Sequence, residues 1–225
     1  MLRFFGQPKF TNSLEYKLIG YELFLRQCNQ HNWGRPLKIP SLPTSQFISL
    51  LDATLKKLPI DKLSFVTFTL EQPQFIDPAL LPYLATLNQQ YHSLVLAIKL
   101  IERPYPNITS DQLLHTAKKL TDIGFVLCLD DIDTENHPST LVDILDPYIV
   151  EYKIHLQYYR DAFDTTITSE MLEALDYWTK RAERCGKQIS LEGIESLADL
   201  QLASTYHPNV LQGYLLGRPK LISLT

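Results

Sequence analysis

The chain has 225 residues, 45% of them hydrophobic, with 21 basic and 25 acidic side chains and a formal net charge of −4. That length and apolar content suit one large domain spanning 1–225, and the lack of a basic block removes the electrostatic footprint of a nucleic-acid binder. No apolar run approaches the ~20 residues of a membrane span, the opening MLRFFGQPKF lacks an apolar signal-peptide core, and Cys28, Cys128 and Cys185, without metal-type spacing, read as reduced thiols of a cytoplasmic protein.

Strand-like segments alternate with helix-like ones. Arg3–Phe10 and Lys17–Arg26 are joined by TNSLEY, too short for a crossover helix, so they are expected to pair antiparallel. GRPLKIPSLP is a Pro-rich loop, and Ser45–Leu58 has helical spacing with lysines in its last turn. Strands are expected over Leu63–Leu70, Leu94–Ile101, Gly124–Asp130, Tyr148–His155, Gln188–Glu192 and Asn209–Gly213. Helices are expected over Thr109–Ile123, with an N-cap in TSDQ, over Ser169–Cys185, ending before Gly186, and over Leu197–Thr205. Repeated β-then-α order implies a parallel sheet. Eight strands in this length predict an α/β fold, a modified TIM-like (β/α)8 barrel with an antiparallel first strand, with an open doubly wound sheet as the structural alternative.

Strand phasing then sorts side chains. In VLAIKLI the large Leu96, Ile98 and Leu100 share one face, which suits helix packing, so Lys99 faces the lumen. The same alternation turns Leu127, Leu129, Tyr152, Ile154, Ile189 and Leu191 outward and Cys128, Asp130, Lys153, Ser190 and Glu192 inward. Glu22, Thr69 and Gln212 complete a set of polar residues from seven strands, with Glu102, Asp131 and Glu195 following at the rim. Convergence at the C-terminal strand ends is where barrel enzymes keep their sites. The six histidines have no ligand spacing and read as structural or solvated, and the aromatic IHLQYYRDAF segment reads as helix packing.

The motif order resembles the EAL-domain family, whose members are cyclic-di-GMP phosphodiesterases and their inactive relatives. GYELFLR is similar to the naming signature, GQPKF to the opening Gln-Pro strand, and IKLIER to the Glu-x-x-Glu strand. CLDDIDT resembles the Asp-Asp loop, YKIH the Lys-Ile-Asp strand, LEGIES the Glu-Gly-Val-Glu strand, and LQGYLLGRP the closing Gln-Gly-Tyr with Arg-Pro. The resemblance implies a barrel with an antiparallel first strand. It also implies Glu22, Asp130 and Asp131 as metal ligands, Lys153 and Glu192 as catalytic residues, and Arg26, Gln212 and Glu102 as nucleotide contacts.

Two implied ligands are replaced: Thr69 stands at the Asn position and Lys99 at the first Glu of Glu-x-x-Glu. The loop DIDTENHPSTL has lost both glycines and is two residues longer, and His155 replaces the Asp of Lys-Ile-Asp. A lysine ammonium donates hydrogen bonds and has no lone pair for a metal. The metal and catalytic residues are therefore expected to be vestigial, with Lys99 standing in for the cation beside Glu22 and Asp130. The preferred function is a degenerate, non-hydrolytic EAL-type bacterial regulator that acts through an unidentified regulatory protein, with no cofactor. The alternatives are a non-catalytic cyclic-di-GMP receptor, and an active phosphodiesterase with relocated Mg²⁺ or Mn²⁺. Schiff-base chemistry at Lys99 ranks last, because flanking carboxylates favour the charged amine. A homodimer is left open.

Overall fold

The computed structural model describes residues 1–29, 32–34, 42–100, 105–129, 140–160 and 166–223. Ten strands are present among them: β1 (Leu2–Thr11), β2 (Leu18–Asn29), β3 (Asn32–Gly34), β4 (Phe65–Leu70), β5 (Val95–Leu100), β6 (Val126–Leu129), β7 (Ile149–His155), β8 (Gln188–Glu192), β9 (Val210–Leu211) and β10 (Lys220–Leu221). Eight of them close into a barrel in the order β1-β9-β8-β7-β6-β5-β4-β2, with β2 returning to β1. β1 runs antiparallel to both neighbours, β2 and β9. The neighbouring pairs from β2 through β4 to β9 are parallel. This is the α/β barrel with an antiparallel first strand that the sequence pattern predicts.

β1 and β2 continue past the barrel. Their far ends pair with β10 and β3, which makes a four-stranded antiparallel extension in the order β10-β1-β2-β3. Its two outer strands are only a few residues long and were not anticipated from the sequence.

The helices are α1 (Thr44–Leu55), α2 (Gln72–Phe75), α3 (Leu80–Gln90), α4 (Ser110–Asp122), α5 (Thr140–Leu145), α6 (Ser169–Cys185) and α7 (Leu197–Tyr206). The α4 cap is a reciprocal box: the Thr109 hydroxyl accepts from Gln112 N, and the Gln112 side chain accepts from Thr109 N. α6 ends at Gly186, whose φ of 64° is the left-handed cap that glycine supplies at least cost. α1 stops at Leu55, short of the expected Leu58, so Lys56 and Lys57 lie beyond its last turn; Lys56 pairs back to Asp52 at 2.6 Å. α3 was not anticipated, because Pro82 in its first turn and the turn-like IDPAL before it mask the pattern. Proline is tolerated there, where no intrahelical donor is lost.

The outward-facing strand residues form the core. Val66, Phe68, Leu70, Leu96, Ile98, Leu100, Leu127, Leu129, Tyr152, Ile154, Ile189 and Leu191 all belong to one buried apolar cluster with the helices. Phe47 of α1 meets Phe4 and Phe68 edge-on or tilted, at 5.9 and 6.1 Å between ring centroids. This outer layer leaves the lumen to the other strand face, which is largely polar. No helix among the described residues is long and apolar enough to cross a membrane.

Candidate functional site

Pairing register fixes what the lumen holds. In the β1–β2 hairpin Gln7 lies opposite Glu22, and in the parallel ladder Glu22 lies beside Thr67 of β4. Thr69 is the direct neighbour of Lys99, and Lys153 of Ser190. Side chains of directly paired residues project from the same side of a sheet. Glu22, Thr67, Thr69, Lys99, Lys153, Ser190 and Glu192 thus share the inner face.

Glu22 is the centre, fully buried. Lys99 Nζ lies 2.5 Å from its Oε1, an ion pair without the alignment of a hydrogen bond. Lys153 Nζ is 3.3 Å and Lys9 Nζ 3.5 Å from its Oε2. Glu192 is the second anion, and its Oε1 receives both Lys9 and Lys153 at 2.9 Å. Two carboxylates and three ammonium groups, from five strands, therefore form one continuous network. Burial alone would raise the carboxyls. Lys153, Lys99 and Lys9 outweigh it at Glu22, which is held down to about 2. Lys153, Lys9 and Lys99 likewise hold Glu192 well below the usual carboxylate range despite its burial. Both carboxylates are ionised at neutral pH.

Lys9 was missed by the motif reading, although it sits in GQPKF. The signal was parity: Lys9 alternates with Gln7, and the antiparallel hairpin register turns both toward Glu22. Lys9 has 0% exposure, and among the described residues Glu22 and Glu192 balance its charge. Glu151 was also missed. It shares parity with Lys153 and is buried, with Oε1 lacking a hydrogen-bond partner among the described residues. Burial raises its carboxyl, and the more distant Lys9 and Lys153 do not fully offset this. Glu151 is thus an interior acid of opposite tendency to Glu22.

Of the other residues singled out, Arg26 lies on the inner face of β2, two residues beyond Phe24, with its guanidinium 5.3 Å from the Phe24 ring centroid. Gln212 is buried just past β9, its Oε1 without a hydrogen-bond partner among the described residues. Thr69 is half-buried. Glu102, Asp130 and Asp131 lie outside the described residues. His155 is not a loose substitute for an acid. It caps the turn after β7 by accepting from Gln157 N at 3.3 Å, and its ring meets Tyr158 at 5.0 Å. In the aromatic segment that follows, Leu156 is buried whereas Tyr158 is exposed, so only part of it packs inward.

The loop after Glu192 is fixed from two sides. Arg160 forms a buried fork with Asp199, at 2.8 and 3.1 Å, and donates to Gly193 O at 3.2 Å. Asp199 Oδ2 accepts from Glu195 N and Ser196 N. On the other side Ile194 N donates to Gln212 O, and a Cβ on Gly213 would come within 2.0 Å of Ile194 O. Only glycine fits there. These contacts tie the ends of β8 and β9 into one rim.

The described residues around Glu22 do not fit a divalent cation. Mg²⁺ needs oxygen donors in a near-octahedral shell, yet both Glu22 oxygens already face ammonium groups, and the Lys99 ammonium offers no lone pair. Among the described residues no group of three or more His, Cys, Asp or Glu side chains is arranged to hold a metal.

No protein-family model matches the sequence, and no curated protein matches it. Solved structures do. The chain is similar to the EAL enzyme Bd1971 in its cAMP- and cyclic-di-GMP-bound form, with a TM-score of 0.77 and 17% identity, covering 97% of this chain and 62% of that one. It is similar to Klebsiella pneumoniae BlrP1 in a calcium and cyclic-di-GMP complex, with a TM-score of 0.78 and 18% identity, covering 99% and 56%. It is also similar to the FimX EAL domain of Pseudomonas aeruginosa bound to cyclic-di-GMP, with a TM-score of 0.76 and 18% identity, covering 100% and 92%. The chain therefore has the fold of EAL domains. It spans less than two thirds of the Bd1971 and BlrP1 chains.

Proposed function

We propose that the protein is a degenerate EAL-type domain of cyclic-di-GMP signalling that does not hydrolyse the dinucleotide and acts through a protein partner. The observation that carries this reading is the Lys99 ammonium, 2.5 Å from Glu22 at the position where the family resemblance implies a metal ligand. An internal cation there repels a divalent one and supplies none of its Lewis acidity. Thr69, the second replaced ligand, is the direct register neighbour of Lys99, so both losses fall on one side of the same pocket. On this reading Glu22, Asp130 and Asp131 are vestigial ligands, and Lys153 and Glu192 are vestigial catalytic residues that now pair with each other.

The test is incubation of the purified protein with cyclic-di-GMP and Mg²⁺ or Mn²⁺, with the linear dinucleotide followed by chromatography. No turnover is expected. Multiple turnovers abolished by Glu22→Gln would overturn the reading.

A second reading, a non-catalytic cyclic-di-GMP receptor, draws support from two features. Arg26 lies toward the C-terminal end of β2, and Gln212, whose backbone carbonyl accepts from Ile194 N of the Glu192 rim, has a buried side-chain oxygen without a hydrogen-bond partner among the described residues. The bound ligands in the Bd1971, BlrP1 and FimX structures make the same dinucleotide the one to try. Calorimetric titration without metal separates the two: a saturable heat lost in Arg26→Ala supports the receptor.

A further inference from the structure

We propose that the deeper half of the barrel lumen is a built hydration site, in which ordered internal water bridges Glu151, Ser190 and Thr67 beneath the ion network. The site lies away from the mouth and does not depend on whether cyclic-di-GMP binds there.

Strand direction sets the depth. β4, β5, β6, β7 and β8 run parallel toward the mouth. Inner-face positions recur at every second residue, a step of about 7 Å along a strand. Ser190 precedes Glu192 by one such step, as Glu151 precedes Lys153, Ala97 precedes Lys99 and Thr67 precedes Thr69. Cys128 joins this level, paired with Lys99 on one side and with Glu151 on the other. Thr67, Cys128, Glu151 and Ser190 are 1, 2, 5 and 0% exposed, so bulk solvent does not reach them.

Two observations point to an occupant. The first is polarity: Glu151 Oε1, Ser190 Oγ and Thr67 Oγ1 have no hydrogen-bond partner among the described residues. Buried polar atoms are nearly always paired, with protein or with ordered water, and here the exceptions come from three strands and face one lumen. The second is size. An eight-stranded barrel is ordinarily filled by its own inward side chains, mostly bulky and branched. At this depth Thr67, Ala97, Cys128 and Ser190 are all small, while the long Lys9 and Lys153 carry their ammonium groups to Glu22 and Glu192.

Chemistry selects water. Two hydroxyls and a carboxyl need a partner that both donates and accepts. Burial raises the Glu151 carboxyl. Water accepts from its protonated form and donates to its ionised form, so it satisfies Glu151 in either state. A cation fits less well, because Lys9 and Lys153 already act on Glu151 and would repel it. Burial also pushes the Cys128 thiol up, which leaves that wall neutral. An internal water typically makes about three hydrogen bonds, and Glu151, Ser190 and Thr67 supply that many.

The test pairs a crystal structure of the intact protein, at a resolution that orders internal water, with oxygen-17 magnetic relaxation dispersion in solution, which reads long-lived internal water. Ordered water is expected within hydrogen-bond reach of Glu151 Oε1 and of at least one of Ser190 Oγ and Thr67 Oγ1. The dispersion amplitude should fall by at least one water's contribution in the double variant Thr67→Val with Ser190→Ala, and should persist in Glu151→Gln, whose amide keeps both a donor and an acceptor. The wild-type density and Glu151→Gln keep the test valid if the double variant misfolds. A lumen in which these three atoms bond only to protein groups, or a dispersion unchanged in a folded double variant, would overturn the proposal. So would a density peak that disappears when sodium and potassium are replaced by tetramethylammonium, which would assign the site to a monovalent cation.

Discussion

Lys99→Met removes the cation closest to Glu22. At 2.5 Å, and with an effective dielectric of about 20, the gross attraction is ~7 kcal/mol. The net loss is much smaller, for two reasons. The methionine variant no longer has to desolvate an ammonium, and Lys153 and Lys9 remain at 3.3 and 3.5 Å from the other Glu22 oxygen. Breaking a buried pair with no other partner costs ~3–5 kcal/mol; with those two lysines still in place a loss of about 1–3 kcal/mol is expected. For a chain of this size that lowers Tm by ~2–12 °C. The complementary variant is Lys99→Glu with Thr69→Asn, at two directly paired positions. It places a carboxylate where the ammonium stood, so without metal it should melt below wild type. With Mg²⁺ it should recover, because a cation at 100 times its dissociation constant stabilises the folded state by ~2.7 kcal/mol. The assay is thermal unfolding of wild type, Lys99→Met and the double variant, each with and without Mg²⁺. If Lys99→Met melts with wild type and the double variant ignores Mg²⁺, Lys99 does not stand in for the metal.

Acid should destabilise the protein through Glu22. Its folded value of about 2 lies below the ordinary 4.5, so its contribution is complete above pH ~4.5 and is lost as pH falls toward 2. That difference corresponds to roughly 3 kcal/mol, and Glu22→Gln should flatten that acid limb in urea titrations. Glu151 works with the opposite sign: its raised carboxyl costs stability as pH climbs above the ordinary carboxylate range, so Glu151→Gln should flatten the upper limb of the same profile. Gly213→Ala drives a Cβ to 2.0 Å from Ile194 O and should cost at least ~1–3 kcal/mol, read as a lower Tm. Arg160→Met leaves Asp199 buried without its cation and should cost ~3–5 kcal/mol by denaturant titration, whereas Arg160→Lys should recover part of the loss.

The barrel was legible because strand phasing is local. Leu96, Ile98 and Leu100 on one side of β5, with Lys99 on the other, needed only the two-residue period, and the structure places them as that period requires. The reach of the network was less legible. Lys9 lies 183 residues from Glu192 in the chain, and its membership depends on hairpin register, which the turn sets and the strand pattern does not. α3 escaped because a proline in a first helical turn looks the same in sequence as one in a loop. β3 and β10 are too short for any period to show, and they exist because β1 and β2 outrun the barrel and offer unpaired edges. The Asp-Asp segment and Glu102 fall outside the described residues, so their part in the site rests on the motif resemblance alone.

Lys9 and Lys153 change how the Lys99 substitution should be understood. Each bridges Glu22 and Glu192, so two ammonium groups already match the two carboxylates in charge without Lys99. A divalent ion at Glu22 would complete that balance only if further carboxylates came with it. On the proposed reading Lys99 stands where the family resemblance implies such a carboxylate, and the same oxygen is neutralised by a covalently attached charge. The pocket then keeps its fold without depending on metal supply. A buried ion network of this kind specifies geometry more than it adds stability. On the same reading, replacing a metal ligand need not unfold the barrel, provided the replacement brings a positive charge. A neutral residue at 99 would leave Oε1 of Glu22 facing the lumen alone, and the Lys99→Met melt measures that difference directly.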